Sequence, residues 1–208
     1  MQNELERFEQ ALLANMSAFA IELSPDPVAL LGTYYSLLTR WNARLHLVAP
    51  CSPEEFATRH VLESLILLEH LPQGAKIADV GSGGGLPIIP CLIARPDLEA
   101  TLIESSQKKT VFLREALAAA GRGATIVARR FEDIDAPQVE FVTSRALDEF
   151  LSKLPGLIKW APKGATLLLF GGEQLKEKLP GAEARLIPGS ERRYLLVARI
   201  NADEKGSR

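Results

Sequence analysis

The stretch Gly81-Ser82-Gly83-Gly84-Gly85 follows a short apolar run at 76–80 and precedes a second apolar run at 86–94. A strand that turns into a helix through so many glycines can adopt positive φ and bring its backbone close to a ligand, because no Cβ intervenes. The same turn could serve only to pack strand against helix, and alone it does not separate the two uses. Its neighbours do. A dinucleotide-binding fingerprint needs glycine at the sixth position counted from Gly81, and that position is Leu86. Asp79 stands two residues before the first glycine. A carboxylate there suits a cationic or hydrogen-bond-donating ligand better than a pyrophosphate.

Further along the chain, Glu104 closes the apolar run 100–103, 23 residues after Gly81. At a neighbouring strand tip its carboxylate can accept both hydroxyls of a ribose, each bond contributing roughly 1.5–3 kcal/mol. Phe131-Glu132 follows a third apolar run, where an apolar side chain can cover an adenine and an acid can accept its amino group. An adenosine that also carries positive charge describes S-adenosylmethionine, with its sulfonium and ammonium, and this is the expected cofactor. His46, His60 and His70 are dispersed rather than clustered, so no metal is expected. Trp41 and Trp160 fall on apolar stripes and are expected in the core, and Arg192-Arg193 in an exposed turn.

The elements that must hold these residues fall into two textures. Residues 1–72 read as helices: Leu5, Phe8, Leu12 and Leu13 form one amphipathic stripe, Leu30 to Trp41 a second, and Phe56 to Leu68 a third, which Ser52-Pro53 opens as cap and first helical residue. From 73 to 200, strands (76–80, 100–103, 124–128, 140–143, 166–170) alternate with helices (86–94, 108–120, 150–160). The runs 184–187 and 194–200 form a closing antiparallel pair, and 201–208 is a polar tail. Alternation of this kind predicts an α/β fold, a mostly parallel sheet covered on both faces with an antiparallel edge. Ligands in such sheets bind at the carboxyl ends of the strands, where the glycine turn lies.

The bulk composition sets the remaining bounds. A chain of 208 residues with 47% hydrophobic and 24% charged residues can build one substantial core. A net charge of −2 excludes a protein that coats nucleic acid through a general field. It leaves room for a local face: between Ser105 and Arg130 stand Lys108, Lys109, Arg114, Arg122, Arg129 and Arg130, against the single acid Glu115. The two cysteines, Cys51 and Cys91, argue against a disulfide framework. No apolar run approaches the roughly 18 residues of a membrane span, and Met1-Gln2-Asn3-Glu4 lacks the features of a signal peptide. A cytoplasmic monomer is expected.

Taken together, Trp41-Asn42, Arg59-His60-Val61-Leu62-Glu63-Ser64, Asp79 to Pro87, Ile89-Pro90, Arg95-Pro96, Lys108-Lys109 with Phe112-Leu113, and Ser144-Arg145-Ala146 resemble the landmarks of the bacterial 16S rRNA guanine-N7 methyltransferases, the RsmG or GidB family. The resemblance implies a class I, Rossmann-like methyltransferase with a seven-stranded sheet and an N-terminal helical extension. It implies methylation of one guanine of small-subunit rRNA, in naked RNA or in an assembling subunit. By motif position, Gly81, Leu86, Phe131, Glu132 and Arg145 contact the cofactor, beside Asp79, Gly83, Gly85 and Glu104 from the residue chemistry. Lys108, Lys109, Arg130, Arg145, Arg59 and His60 are the candidate RNA contacts. The chain departs from the family pattern at Ile88 (usually Gly), at His46-Leu47-Val48 (usually Asn-Leu-Thr), and at Gly171, where a lysine usually stands.

Guanine N7 already offers a lone pair, so attack on a methyl sulfonium needs no general base. Holding the reactants in line can supply roughly 7–11 kcal/mol. Arg145 can hold the cofactor, donate to guanine O6, or form a structural salt bridge. Three other readings stay open: a methyltransferase for a small molecule or protein, a non-catalytic cofactor- or RNA-binding module suggested by Gly171, and a nucleotide-dependent oxidoreductase, which Leu86 disfavours.

Overall fold

The computed structural model describes residues 2–145 and 150–201, so Ala146 and the tail residues 202–208 lie outside the described residues. Seven strands form one sheet: β1 (Lys76–Val80), β2 (Glu99–Ile103), β3 (Thr125–Val127), β4 (Phe141–Ser144), β5 (Thr166–Gly171), β6 (Glu183–Leu186) and β7 (Tyr194–Arg199). Their order is β3-β2-β1-β4-β5-β7-β6. β1 to β5 run parallel, and β7 pairs antiparallel with both β5 and β6. The chain winds outward from β1 through β3, then returns to the other side of β1 as β4. The reversal opens a crevice between the tips of β1 and β4.

Helices cover both faces. Before the sheet come α1 (Gln2–Asn15), α2 (Pro25–Leu45) and α3 (residues 53–70); within it lie α4 (Ile88–Ala94), α5 (Gln107–Ala119), α6 (Phe150–Trp160) and α7 (Glu173–Lys178). The two-residue period of β1 sorts the layers. Ile77 faces a core shared with Leu31 and Leu38 of α2, Leu62 of α3, Ile89 of α4 and Phe112 of α5. Ala78 and Val80 face Leu154 and Leu157 of α6 and Leu175 of α7. The N-terminal helices thus share a core with one face of the sheet. Phe8 stacks on Tyr35 with ring centroids 4.6 Å apart, and Phe56 meets Tyr35 at 5.1 Å.

Two local devices shape the site. Ser52 caps α3, its Oγ accepting from the Glu55 amide at 3.1 Å, a contact worth about 1 kcal/mol. Beyond this cap the helix widens, and Phe56–Leu62 is π-helical. At the end of α2, His46 takes φ +48°. The left-handed region favours Asn, Asp and His over most other side chains, so His46 suits this turn. The Asn42 side chain then clasps Val48, donating to its carbonyl and accepting from its amide, both at 3.0 Å.

The strands and the longer helices lie within a residue or two of where the apolar runs place them; the short 3-10 turns Met16–Phe19 and Phe131–Asp133 were not expected, and two further differences bear on the site. The helix after the glycine turn begins at Ile88 rather than Leu86, because the turn continues through Gly85 at φ +80°. The helix Glu173–Lys178 was not anticipated, since its six residues are too few to show a period. Among the described residues, no helix is long and apolar enough to cross a membrane.

Candidate functional site

A cavity of about 440 Å³ opens at the carboxyl ends of β1, β4 and β5. Its floor is the glycine turn; Arg59, His60 and Glu63 of α3 form one wall, Leu47 and Val48 another, and Phe170 to Gly172 with Arg193 close the far side. Tyr34, fully buried in α2, donates its hydroxyl to the Gly84 carbonyl and ties the turn to the helical extension. At Gly85, positive φ combines with crowding, for a Cβ there would fall 2.4 Å from Cδ1 of Ile89. Only glycine fits.

Two acids lie against this turn. Glu104 accepts from the Gly83 amide through Oε2 at 2.9 Å and from the Ser106 amide through Oε1 at 2.7 Å. One carboxylate therefore fixes both the glycine turn and the start of α5. Asp79 is fully buried, and neither of its carboxylate oxygens has a hydrogen-bond partner. Burial, with the nearby Glu104 charge, pushes its carboxyl up to about 8. Such an orphaned acid has the character of a group built to face a cation or a donor.

Arg145 reaches from the tip of β4 into α3. Its guanidinium donates to the carbonyls of Arg59 and His60, to Ser64 Oγ at 3.3 Å and to Glu63 Oε2 at 2.9 Å. It also lies 5.4 Å from the centroid of the Phe170 ring. Glu63, only 2% exposed, takes Arg193 on its other oxygen at 2.6 Å. Arg193 is thus half-buried in the cavity wall rather than in an exposed turn; Arg192 alone is exposed. His60 is held neutral, its pKa pulled down to about 3 by burial and by Arg145, Arg59 and Arg193.

The cavity brings together Gly81, Gly83, Leu86, Lys109, Arg145, Arg59 and His60 from the expected residues. Asp79, Gly85 and Glu104 lie behind its surface. Phe131 and Glu132 do not line it: Phe131 packs edge-on against Trp160, and Glu132 pairs with Arg130 at 3.4 Å and Lys153 at 3.7 Å. Lys108 is exposed on α5. Arg122 of the basic stretch is structural, donating to the carbonyls of Leu92 and Ile93 at the end of α4. Glu63 and Arg193 were missed as site residues; the landmark Arg59-His60-Val61-Leu62-Glu63-Ser64 was the available signal for Glu63, and nothing local marked Arg193. Among the described residues, no three His, Cys, Asp or Glu side chains converge as a metal cage.

A seven-stranded sheet in this order, with a glycine turn after β1 and an acid at the tip of β2, defines a class I S-adenosylmethionine-dependent methyltransferase. A SAM-dependent methyltransferase from Aquifex aeolicus superposes with a TM-score of 0.56 at 15% identity, covering 79% of this chain and 97% of that one. A ribosomal protein L11 methylase from Lactobacillus delbrueckii subsp. bulgaricus does so with a TM-score of 0.56 at 15% identity, over 68% of this chain and 78% of that one. These likenesses carry the fold alone.

The sequence carries the family. Residues 28–200 match the family described as rRNA small subunit methyltransferase G (GidB), and the chain belongs to it. It is 37% identical to the ribosomal RNA small subunit methyltransferase G of Sorangium cellulosum over 187 residues, covering 85% of this chain and 77% of that one. It is 40% identical to the enzyme of that name from Xanthomonas campestris pv. campestris over 186 residues, covering 88% and 84%. The residues present fit the family's cofactor, S-adenosylmethionine: a turn of four glycines and Ser82 that leaves the backbone open, an orphaned buried acid beneath it, and a pinned carboxylate at the next strand tip.

Proposed function

We propose that this chain methylates N7 of one guanine in small-subunit rRNA. The observation that carries the reading is the charge of the cavity: Arg59, Lys109, Arg145 and Arg193 line it, against the single carboxylate of Glu63. A cationic pocket beside a cofactor turn suits a polyanion better than a small neutral substrate. His60, held neutral, adds no charge.

In this reading S-adenosylmethionine supplies an electrophilic methyl group. Gly81, Gly83 and Leu86 seat the cofactor, Asp79 lies buried beneath the turn that holds it, and Glu104 accepts from its ribose, the adenine extending beyond the cavity toward Phe131 and Glu132. Arg145 and Glu63 fix the wall against which the base lies, and Arg59, Lys109 and Arg193 meet phosphates. Lys108 and Arg130 extend this contact outside the cavity. No residue need remove a proton, because N7 attacks with a free lone pair. Rate acceleration then rests on alignment and on excluding water. Residues 1–72 act as an extension that supplies one wall of the site, on a methyltransferase core of 73–200. The reading extends to a cytoplasmic, metal-free monomer acting on rRNA or an assembling subunit.

The test is methylation of small-subunit rRNA, and of small subunits, from a strain lacking the gene, using radiolabelled cofactor and mass spectrometry of the product. Incorporation as 7-methylguanosine is expected. Cofactor binding without transfer to either substrate would favour a non-catalytic module. Gly171 motivates that second reading: it lines the cavity where the family carries lysine, and a Cβ there would fall 2.4 Å from Leu175 Cδ2 and 2.8 Å from its Cβ.

A further inference from the structure

A second cavity, of about 570 Å³, opens at the opposite end of β5. The first lies beyond Gly171. This one lies where β5 begins, at the pairing of Thr166 with Arg199 of β7, about 17 Å away at strand rise. Its floor is apolar, with Ile158, Leu167 and Ala198 among the lining residues. Its rim carries Lys159, Lys163, Lys178 and Arg199, all exposed, and no Asp or Glu lines it. Among the described residues, none of these four side chains takes part in an ion pair, whereas Arg7, Arg59, Arg95, Arg145, Arg185 and Arg193 all do.

The four cations come from the end of α6, the loop before β5, the end of α7 and the end of β7. Folding therefore gathers like charges that are scattered in sequence, in a chain of net charge −2. Like charges so gathered repel unless counterions or a polyanion meet them. The groove is too large for a single phosphate ion, and it is concave, so it fits a strand rather than a flat bilayer.

We propose that this groove binds the phosphodiester backbone of RNA, as a second anchor for the same rRNA that reaches the first cavity. The proposal rests on the reading of rRNA as substrate. One strand of RNA crossing the sheet's lower edge would fix the orientation of the enzyme on a large substrate, while the first cavity handles a single base. Its contacts are to phosphates, so they position without reading sequence.

The test compares the wild type with two exposed-residue variants, Lys159→Gln with Lys163→Gln and Lys178→Gln with Arg199→Gln. Fluorescence anisotropy would follow binding to a small-subunit rRNA fragment across a salt series. Each pair is expected to weaken binding about tenfold. Each should also reduce the slope of log K against log salt by about 0.7 per lost contact. Calorimetric affinity for S-adenosylmethionine should be unchanged, which shows that the fold is intact. If the wild type binds RNA and both variants match it in affinity and slope, the groove is no RNA site. If the variants instead lose binding to vesicles containing anionic phospholipid while keeping RNA, the proposal is overturned in favour of a membrane. A wild type that binds neither the rRNA fragment nor small ribosomal subunits at any salt sinks the substrate reading itself.

Discussion

Arg145, at the tip of β4, lies 2.9 Å from Glu63, which is 82 positions earlier in the chain and buried in α3. Glu63 is also the partner of Arg193, so one buried carboxylate joins the helical extension to the parallel strand β4 and to the antiparallel edge of the sheet at β7. Removing it leaves two guanidinium groups without their partner. Glu63→Ala should destabilise the protein by about 3–5 kcal/mol, the usual result of breaking a buried ion pair from one side. Glu63→Gln keeps one acceptor and should lose less. Urea unfolding monitored by circular dichroism separates the two, and equal losses would mean that the charge is irrelevant.

Asp79 and His60 should give the ligand-free protein opposite pH dependences. The folded-state pKa of Asp79, about 8, lies above an unfolded value of about 3.9. Its contribution is therefore fully present below about pH 4 and is lost as pH rises toward 8. For His60 the folded value of about 3 lies below an unfolded value of about 6.5. Stability is then full above about pH 6.5 and falls as pH drops toward 3. Relative to wild type, Asp79→Asn should gain stability with rising pH, and His60→Gln should gain it with falling pH. Unfolding midpoints from pH 4.5 to 8.5 check both signs.

The glycine turn should respond very differently at adjacent positions. Gly85→Ala meets positive φ and a 2.4 Å approach to Ile89 Cδ1, so it should cost at least about 1–2 kcal/mol. A Cβ at Gly84 would find only ordinary contact, 3.4 Å from Leu47 and 3.5 Å from Leu38. Gly84→Ala should therefore be close to neutral for thermal stability.

Glu104→Gln should weaken S-adenosylmethionine binding by about ten- to a hundredfold, because a charged acceptor becomes a half-donor. Gln can still accept from the Gly83 amide, so the turn itself should survive, while its NH2 faces the Ser106 amide that Glu104 also holds. Isothermal calorimetry with unchanged affinity would remove Glu104 from the cofactor site.

Much of this architecture was legible in the sequence. The strand Lys76–Val80 coincides with its apolar run because Gly74 and Gly81 bound it, and the helix Phe150–Trp160 because its apolar residues recur at helical spacing. The capped start of α3 followed from Ser52-Pro53. What the sequence hid is what long-range packing decides. Arg193 looked like part of an exposed pair because local pattern says nothing of Glu63, 130 positions away. Arg122 looked like a candidate for nucleic acid, yet it closes the end of α4. The π-helical middle of α3 was likewise invisible, since its apolar residues fit an ordinary helix almost as well.

That widened stretch makes the spacing along α3 matter as much as its side chains. Arg145 binds the backbone carbonyls of Arg59 and His60 as well as the side chains of Ser64 and Glu63, and no substitution in α3 removes those carbonyls. Each residue advances a helix by about 100°. Losing Ala57 from this segment would let it tighten into a regular helix with its two ends in much the same rotational register, because seven residues at the wider pitch turn about as far as six at about 100° each. What would change is the backbone: the Glu63 amide, now bonded to the Thr58 carbonyl, would shift to that of Arg59, one of the two that Arg145 holds. A one-codon deletion here would therefore disturb the seat of Arg145 in a way no side-chain change does, and the length of this segment should resist drift even where its sequence does not.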